Sequence, residues 1–318
     1  MSKIVLTGGA GFIGSHTTKA LLNEGHEVTI IDNFNDYYDV AQKEANVAPL
    51  VEMGAQLERI DLRDTEAVAR VVAAAKPDKI VHLAARAGVR PSIQDPLLYQ
   101  EVNIGGTLNL LEAAKQSGVE HFVFASSSSV YGKSKEIPFS EDQRVDHPIS
   151  PYAATKKAGE LLCHNYHDLY GTKTTCLRFF TVYGPAGRPD MAPFLFTDAI
   201  ANGRSIKRFG DGSSQRDYTY VDDIVSGIMG AVANPFDYEI INLGNHQTVK
   251  LSDFISTIEK LLGKEAIIEE YPEQPGDVPL TYASIEKAQK LLGYDPKTDI
   301  ESGMAKFIEW YRETRETV

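Results

Sequence analysis

The chain has 318 residues, 42% of them hydrophobic and 24% charged, which suits an ordinary soluble protein able to bury a sizeable core. Its 44 acidic residues outnumber 32 basic ones, and the net charge of -12 argues against broad nucleic-acid or acidic-membrane binding. No apolar run approaches a membrane span, and residues 1–7 read as a strand rather than a signal peptide, so a cytoplasmic protein is expected.

In chain order, residues 3–7 (KIVLT) read as a strand, 12–24 as a helix and 27–31 (EVTII) as a strand. A strand at 56–60, a helix at 64–75, a strand at 79–83, a long helix at about 97–117 and a strand at 120–125 follow. Ser150 and Pro151 open a helix that runs to about 170, because serine caps and proline fits the first turn. A strand at 173–179 follows it. Cys163 and Cys176 fall in this helix and strand without metal-ligand spacing and read as buried thiols of a reducing compartment.

Beyond 180 the pattern loosens around Pro185, Pro189 and Pro193, with helices near 191–201, 221–233, 251–262, 284–292 and 299–316. Short apolar strands alternating with amphipathic helices predict an α/β fold: a doubly wound, Rossmann-type parallel sheet with a smaller C-terminal α/β lobe. The expected division is a nucleotide-binding domain over 1–180 and a second domain over 181–318, with a strand near 238–242 able to rejoin the sheet.

The first strand leads into Gly8, Gly11 and Gly14, spaced G-x-x-G-x-x-G at the opening of the first helix. Glycines there allow a tight turn and close approach of backbone to a pyrophosphate at the helix N-terminus. Asp32 ends the second strand, where a carboxylate accepts ribose hydroxyls and repels a 2′-phosphate, so the expected cofactor is NAD rather than NADP. Tyr152 and Lys156 are one helical turn apart, and a lysine charge on the same face would draw the phenol pKa down from about 10. Alone, the pair reads as a partly buried tyrosine beside a solvated lysine, because Tyr and Lys fall at this spacing often by chance.

Taken together these motifs resemble the extended short-chain dehydrogenase/reductase family, and the resemblance covers nearly the whole chain. TGGAGFIGS, DLRD at 61–64, HLAA at 82–85, Asn103, SSSSVYG at 126–132, YAATK at 152–156 and RDYTYVDD at 216–223 carry it in order. The resemblance implies a cofactor site of Gly8, Gly11, Phe12, Ile13, Gly14, Asp32, Asn33, Asp61, Leu62, Leu83, Ala84 and Ala85, with Asn103 steadying the active-site helix. It implies Tyr152 as catalytic base, Lys156 on the nicotinamide ribose, and a homodimer joined through the helices near 97–117 and 150–170. His82 reads as a core histidine.

Ser127 follows a strand, and its hydroxyl can orient the proton of a substrate alcohol. Relatives that dehydrate nucleotide sugars carry an acid pair where this chain has Ser128 and Ser129, and relatives that decarboxylate UDP-glucuronate carry Glu at the second place. Oxidation and reduction at one carbon, which is epimerisation, remains. DNFNDYYDVAQKEAN at 32–46, ARAGVRPS at 85–92 and RFFTVYGPAGRPDM at 178–191 resemble UDP-glucuronate 4-epimerases in particular.

That resemblance implies a UDP-sugar partner. Arg188 is expected on a sugar carboxylate with Thr181, Ser128 and Ser129 around it, since a planar guanidinium pairs with both oxygens. Arg90 is expected to add positive charge, and the resemblance implies that Phe209 packs on uracil and that Arg216 and Asp277 hold diphosphate and ribose. Gln274 departs from the Arg found there in many UDP-sugar epimerases. The rivals are 4-epimerisation of a neutral or N-acetylated UDP-hexose, decarboxylation of UDP-glucuronate, and a silent NAD(H) sensor. For Arg188 the plain alternative is a solvated loop arginine.

Overall fold

The computed structural model describes residues 1–273 and 278–315. A seven-stranded sheet forms its centre, ordered Tyr238–Leu243, Lys173–Phe179, His121–Ser127, Lys79–His82, Lys3–Thr7, Glu27–Ile31, Gln56–Glu58. Every neighbouring pair is parallel. Parallel strands covered on both faces need apolar side chains in both directions. KIVLT accordingly buries four of its five residues. Ile4 and Leu6 enter one core with Leu21, Ile224 and Ile228, while Val5 enters the opposite core with Val68, Leu110 and Leu111. Both cores grow from the two-residue period of the strand.

The strand order reverses beside Lys3–Thr7, which pairs Thr7 with Ile31 on one side and with His82 on the other. Such a reversal opens a crevice at the carboxyl ends of the strands. The strand Tyr238–Leu243 does rejoin the sheet, as its sequence suggested, aligned with Thr174–Phe179. Helix Val221–Ala233 packs against helix Phe12–Asn23, with Ile224 and Ile228 in the same core as Leu21.

A third core, rich in aromatic rings, gathers Tyr183, Phe194, Tyr218, Phe254 and Phe307 from the second half of the chain. Phe12, at the start of the first helix, belongs to it and ties the glycine turn to that lobe. Three two-stranded pairings brace this side. Thr181–Tyr183 pairs with Tyr218–Tyr220, Gln215–Arg216 with Val249–Lys250, and Ser205–Phe209 with Ile267–Tyr271.

Two departures from the sequence reading concern the site. Helix Val40–Glu52 was not expected, because two residues it buries, Gln42 and Lys43, are polar and blur the apolar stripe. They are satisfied by carbonyls: Gln42 Nε2 donates to Ala186 O at 3.0 Å, and Lys43 Nζ donates to Asn35 O at 2.6 Å. The long helix near 97–117 is also not uniform. It is α-helical over Pro96–Tyr99 and Gly106–Gln116 and widens to a π-turn over Gln100–Gly105. The widened turn buries Asn103.

Candidate active site

The carboxyl ends of the strands and the second lobe enclose a cleft of about 1050 Å³. Its first wall is mostly backbone. Gly8 turns with φ +77, and a Cβ on it would lie 2.8 Å from Ala84 N. A Cβ on Gly14 would lie 2.0 Å from Gly8 O, so the helix can start against the turn only without a side chain there. Helix Phe12–Asn23 has neither a side-chain cap nor an acidic residue in its first turn, which leaves its N–H groups to an anion.

Asp32 is 9% exposed; one carboxylate oxygen accepts from Ala10 N at 3.1 Å and the other from Phe34 N at 2.9 Å. Asp61 accepts from Asn33 Nδ2 and from Arg63 Nη2, each at 2.9 Å. The Arg63 hydrogen bonds outweigh burial and bring its carboxyl down to about 2. Leu62, Leu83, Ala84 and Ala85 line the same wall. The glycine cradle, the open helix start and the two anchored carboxylates fit NAD.

Asn103 departs from its place among the cofactor residues. It does not line the cleft. Its Nδ2 donates to Arg86 O and to Thr155 Oγ1, each at 3.0 Å, and its Oδ1 accepts from Arg86 N at 2.8 Å. It therefore ties the loop after the fourth strand to the helix that carries Tyr152. His82 is buried, with Nδ1 2.7 Å from Thr7 Oγ1 and Nε2 2.9 Å from Thr107 Oγ1. Burial, with the Lys156 charge behind it, pushes it down to about 3, the state of a core histidine.

At the centre, Ser150 Oγ accepts from Ala153 N at 3.1 Å and caps helix Pro151–Tyr170, which presents Tyr152 and Lys156 to the cleft. Lys156 Nζ donates to Ala125 O at 2.6 Å and lies 6.0 Å from the Tyr152 ring centroid. The acidified phenol expected from sequence is not what this structure holds. Burial pushes Tyr152 above its ordinary value; the Ser127 hydrogen bond and the Arg188 charge oppose that without reversing it. Burial also brings Lys156 down to about 8. The i,i+4 spacing reveals one charge beside the phenol but not the desolvation of both partners.

Ser127 ends its strand and lines the cleft with Tyr152; its Oγ donates to Ser129 Oγ at 3.1 Å and accepts from Ser129 N at 3.2 Å, which fixes its hydroxyl over the short helix Ser128–Tyr131.

The second wall is made of side chains from distant segments: Ser128, Ser129, Thr181, Arg188, Arg90, Phe209 and Arg216 all line it. The Arg90 guanidinium lies 4.8 Å over the Phe209 ring, and Phe209 also faces Tyr271 at 5.6 Å. Arg216 Nη1 donates to Gln215 O at 2.9 Å. Arg188 already has an anionic partner: Nε is 2.9 Å from Asp190 Oδ1 and Nη2 is 2.5 Å from Oδ2. Asp277 and Gln274 lie outside the described residues. Sequence reasoning missed Tyr37, Lys43, Arg86, Asp190 and Leu195, which also line the cleft. All but Leu195 sit inside the runs 32–46, 85–92 and 178–191, whose resemblance was the available signal.

Known proteins agree with this geometry. The chain is 44% identical over 320 residues to a UDP-glucuronate 4-epimerase of Thermodesulfobacterium geofontis, covering 100% of this chain and 98% of that protein. The crystal structure of UDP-glucuronic acid 4-epimerase from Bacillus cereus with UDP-glucuronic acid and NAD superposes with a TM-score of 0.92. It is 37% identical, with 98% and 99% of the two chains covered. The UDP-glucose 4-epimerase of Thermus thermophilus with NAD gives 0.90 at 33% identity, with 98% and 99% covered. The model of the NAD dependent epimerase/dehydratase family matches residues 4–244, and the chain belongs to that family.

Proposed function

We propose that this protein interconverts UDP-glucuronate and UDP-galacturonate by inverting C4 of the sugar through a 4-keto intermediate. The observation that carries the reading is Arg188 lining the cleft with Tyr152, Ser127 and Thr181, where a sugar carboxylate would reach it. Among the described residues, the acids of the cleft are Asp32, Asp61, Asp190 and Asp198. Each is engaged: by backbone N–H groups, by Arg63, by Arg188, and by Arg204 with Tyr311. None stands at Ser128 or Ser129, so the cleft lacks the acids that dehydration or decarboxylation uses.

The chemistry NAD supplies when bound is reversible hydride transfer at C4, and its oxidised ring adds positive charge to the cleft. Tyr152 acts as the phenolate, which the Ser127 hydrogen bond, the Arg188 charge and the positive charge of bound NAD would favour against burial, and takes the C4 hydroxyl proton at its phenolic oxygen while Ser127 orients that hydroxyl. Lys156, the cation of the same helix face, would hold the nicotinamide ribose. Arg216, Asp277 and Phe209 keep the UDP anchored with Arg90 while the keto sugar turns over, and Tyr152 then returns the proton. The 4-keto uronate is a β-keto acid, and a carboxylate held by Arg188 and Thr181 out of line with the carbonyl π system resists loss of CO2.

We assign the cofactor to residues 1–180 and the nucleotide sugar to 181–318, although Val221–Ala233 and Tyr238–Leu243 are built into the sheet layer. A homodimer through the helices near 97–117 and 150–170 is supported by Leu97, Leu161, Leu169 and Tyr170, which are 50–69% exposed there. No described helix is long and apolar enough to cross a membrane, and the two free buried cysteines support a reducing cytoplasm.

The test is to incubate the protein with UDP-glucuronate, without added NAD, and follow the product by NMR. UDP-galacturonate is expected; turnover of UDP-glucose alone would sink the reading. That second reading, a neutral-hexose 4-epimerase, is favoured by one observation: Arg188 already carries a carboxylate partner.

A further inference from the structure

We propose that Asp190 and Tyr37 are positioning residues for Arg188: they grip one edge of its guanidinium, aim the other at the sugar carboxylate, and so set the preference for a uronate. The inference rests on the functional reading above.

A guanidinium has five N–H donors in a plane. Asp190 takes the side edge, accepting from Nε at 2.9 Å and Nη2 at 2.5 Å. The end edge, formed by Nη1 and the second N–H of Nη2, is the edge that pairs with another carboxylate through two parallel bonds. A carboxylate already in place is thus compatible with uronate binding, provided that it fixes orientation and does not occupy the end.

Asp190 is itself held. Tyr37 Oη donates to Asp190 Oδ2 at 3.0 Å, and the Tyr37 ring lies 5.4 Å from the Arg188 guanidinium, so one tyrosine touches both members of the pair. Arg86 covers the same ring at 4.9 Å, and Tyr99 donates to Ala87 O at 2.6 Å. Behind the arginine, Gln42 Nε2 binds Ala186 O at 3.0 Å and Gly187 O at 3.3 Å. This clamp holds a loop in which Ala186 has φ +61, a conformation a non-glycine residue keeps only when its surroundings impose it. The segment 35–43 thus carries three anchors, Tyr37, Gln42 and Lys43, two of which act on the loop of Arg188.

The test uses the holoenzyme with Asp190→Ala, Asp190→Asn and Tyr37→Phe, each assayed with UDP-glucuronate and with UDP-glucose. Losing the charge-assisted grip should raise KM for UDP-glucuronate about 10-fold in Asp190→Ala and about 3-fold in Tyr37→Phe, with a smaller change in kcat. Asp190→Asn keeps an acceptor for Nε and should recover part of the KM. A merely structural role would move both sugars together, which overturns the proposal. KM for UDP-glucuronate that stays the same or falls also overturns it, the fall meaning that Asp190 competes with substrate for Arg188. Wild-type protein that acts on UDP-glucose but never on UDP-glucuronate removes the functional reading and this proposal together. Wild type active on UDP-glucuronate with unchanged variants removes the proposal alone.

Discussion

The two walls of the cleft are built by different means. The cofactor wall is backbone: a turn without side chains, a helix start, and the ends of adjacent parallel strands, with Asp32 directly after its strand and Asp61 three positions beyond Glu58, the end of the next. The substrate wall is side chains on loops: Arg188 with Asp190, Arg90 over Phe209, and Arg216 on a two-residue strand. Backbone geometry admits few sequences, so it repeats as a motif. A side-chain wall can be relined one residue at a time while the first wall stays as it is, and in the proposed function it is the wall that faces the sugar.

Substitutions at the seam and on each wall separate these roles. Tyr152, where the walls meet, should matter most: Tyr152→Phe is expected to lower kcat by about 10²-fold or more with the NAD content of the protein unchanged. Near-normal turnover would take Tyr152 out of the chemistry. On the substrate wall, Arg188→Ala should raise KM for UDP-glucuronate about 50-fold, or release CO2 and a keto-pentose, in a coupled assay for both products. If neither occurs, the carboxylate is held elsewhere.

On the cofactor wall, Gly14→Ala puts a methyl 2.0 Å from Gly8 O. The resulting shift should weaken NAD binding roughly 30-fold, read by calorimetry on protein stripped of NAD. Full affinity would show that the turn is not the pyrophosphate cradle.

The smallest effect is on pH. Burial lowers Lys156 to about 8, so its ammonium is present below that pH and lost as pH rises through it, well before an ordinary lysine would lose its own. Protein stripped of NAD should bind the cofactor about 5-fold more weakly at pH 9 than at pH 7, as a charge-assisted bond to the ribose is lost. Lys156→Met should flatten that dependence; an unchanged slope would assign it to another group.

The sheet and its cofactor residues were legible because their causes are local. KIVLT, EVTII and KIVHL are apolar runs that only a doubly covered sheet explains, and the glycines follow the first of them directly. Helix Val40–Glu52 was not legible because two of the residues it buries, Gln42 and Lys43, are polar and are satisfied by carbonyls at residues 186, 187 and 35. Among the described residues, the six short strands outside the main sheet were missed because four of them have only two or three residues and the other two, Ser205–Phe209 and Ile267–Tyr271, bury one side chain between them.

By itself, then, the sequence determined the parallel sheet and the glycine turn, because helical and strand periods place those residues with no distant partner, while Ser127, Tyr152 and Lys156 were singled out as a set only with the help of the family resemblance. Only the tertiary structure decided their electrostatic state, since desolvation of Tyr152 and Lys156 depends on everything packed around them. It also decided the partnership of Tyr37 with Asp190 and Arg188, because residues 153 positions apart meet only once the whole chain has folded.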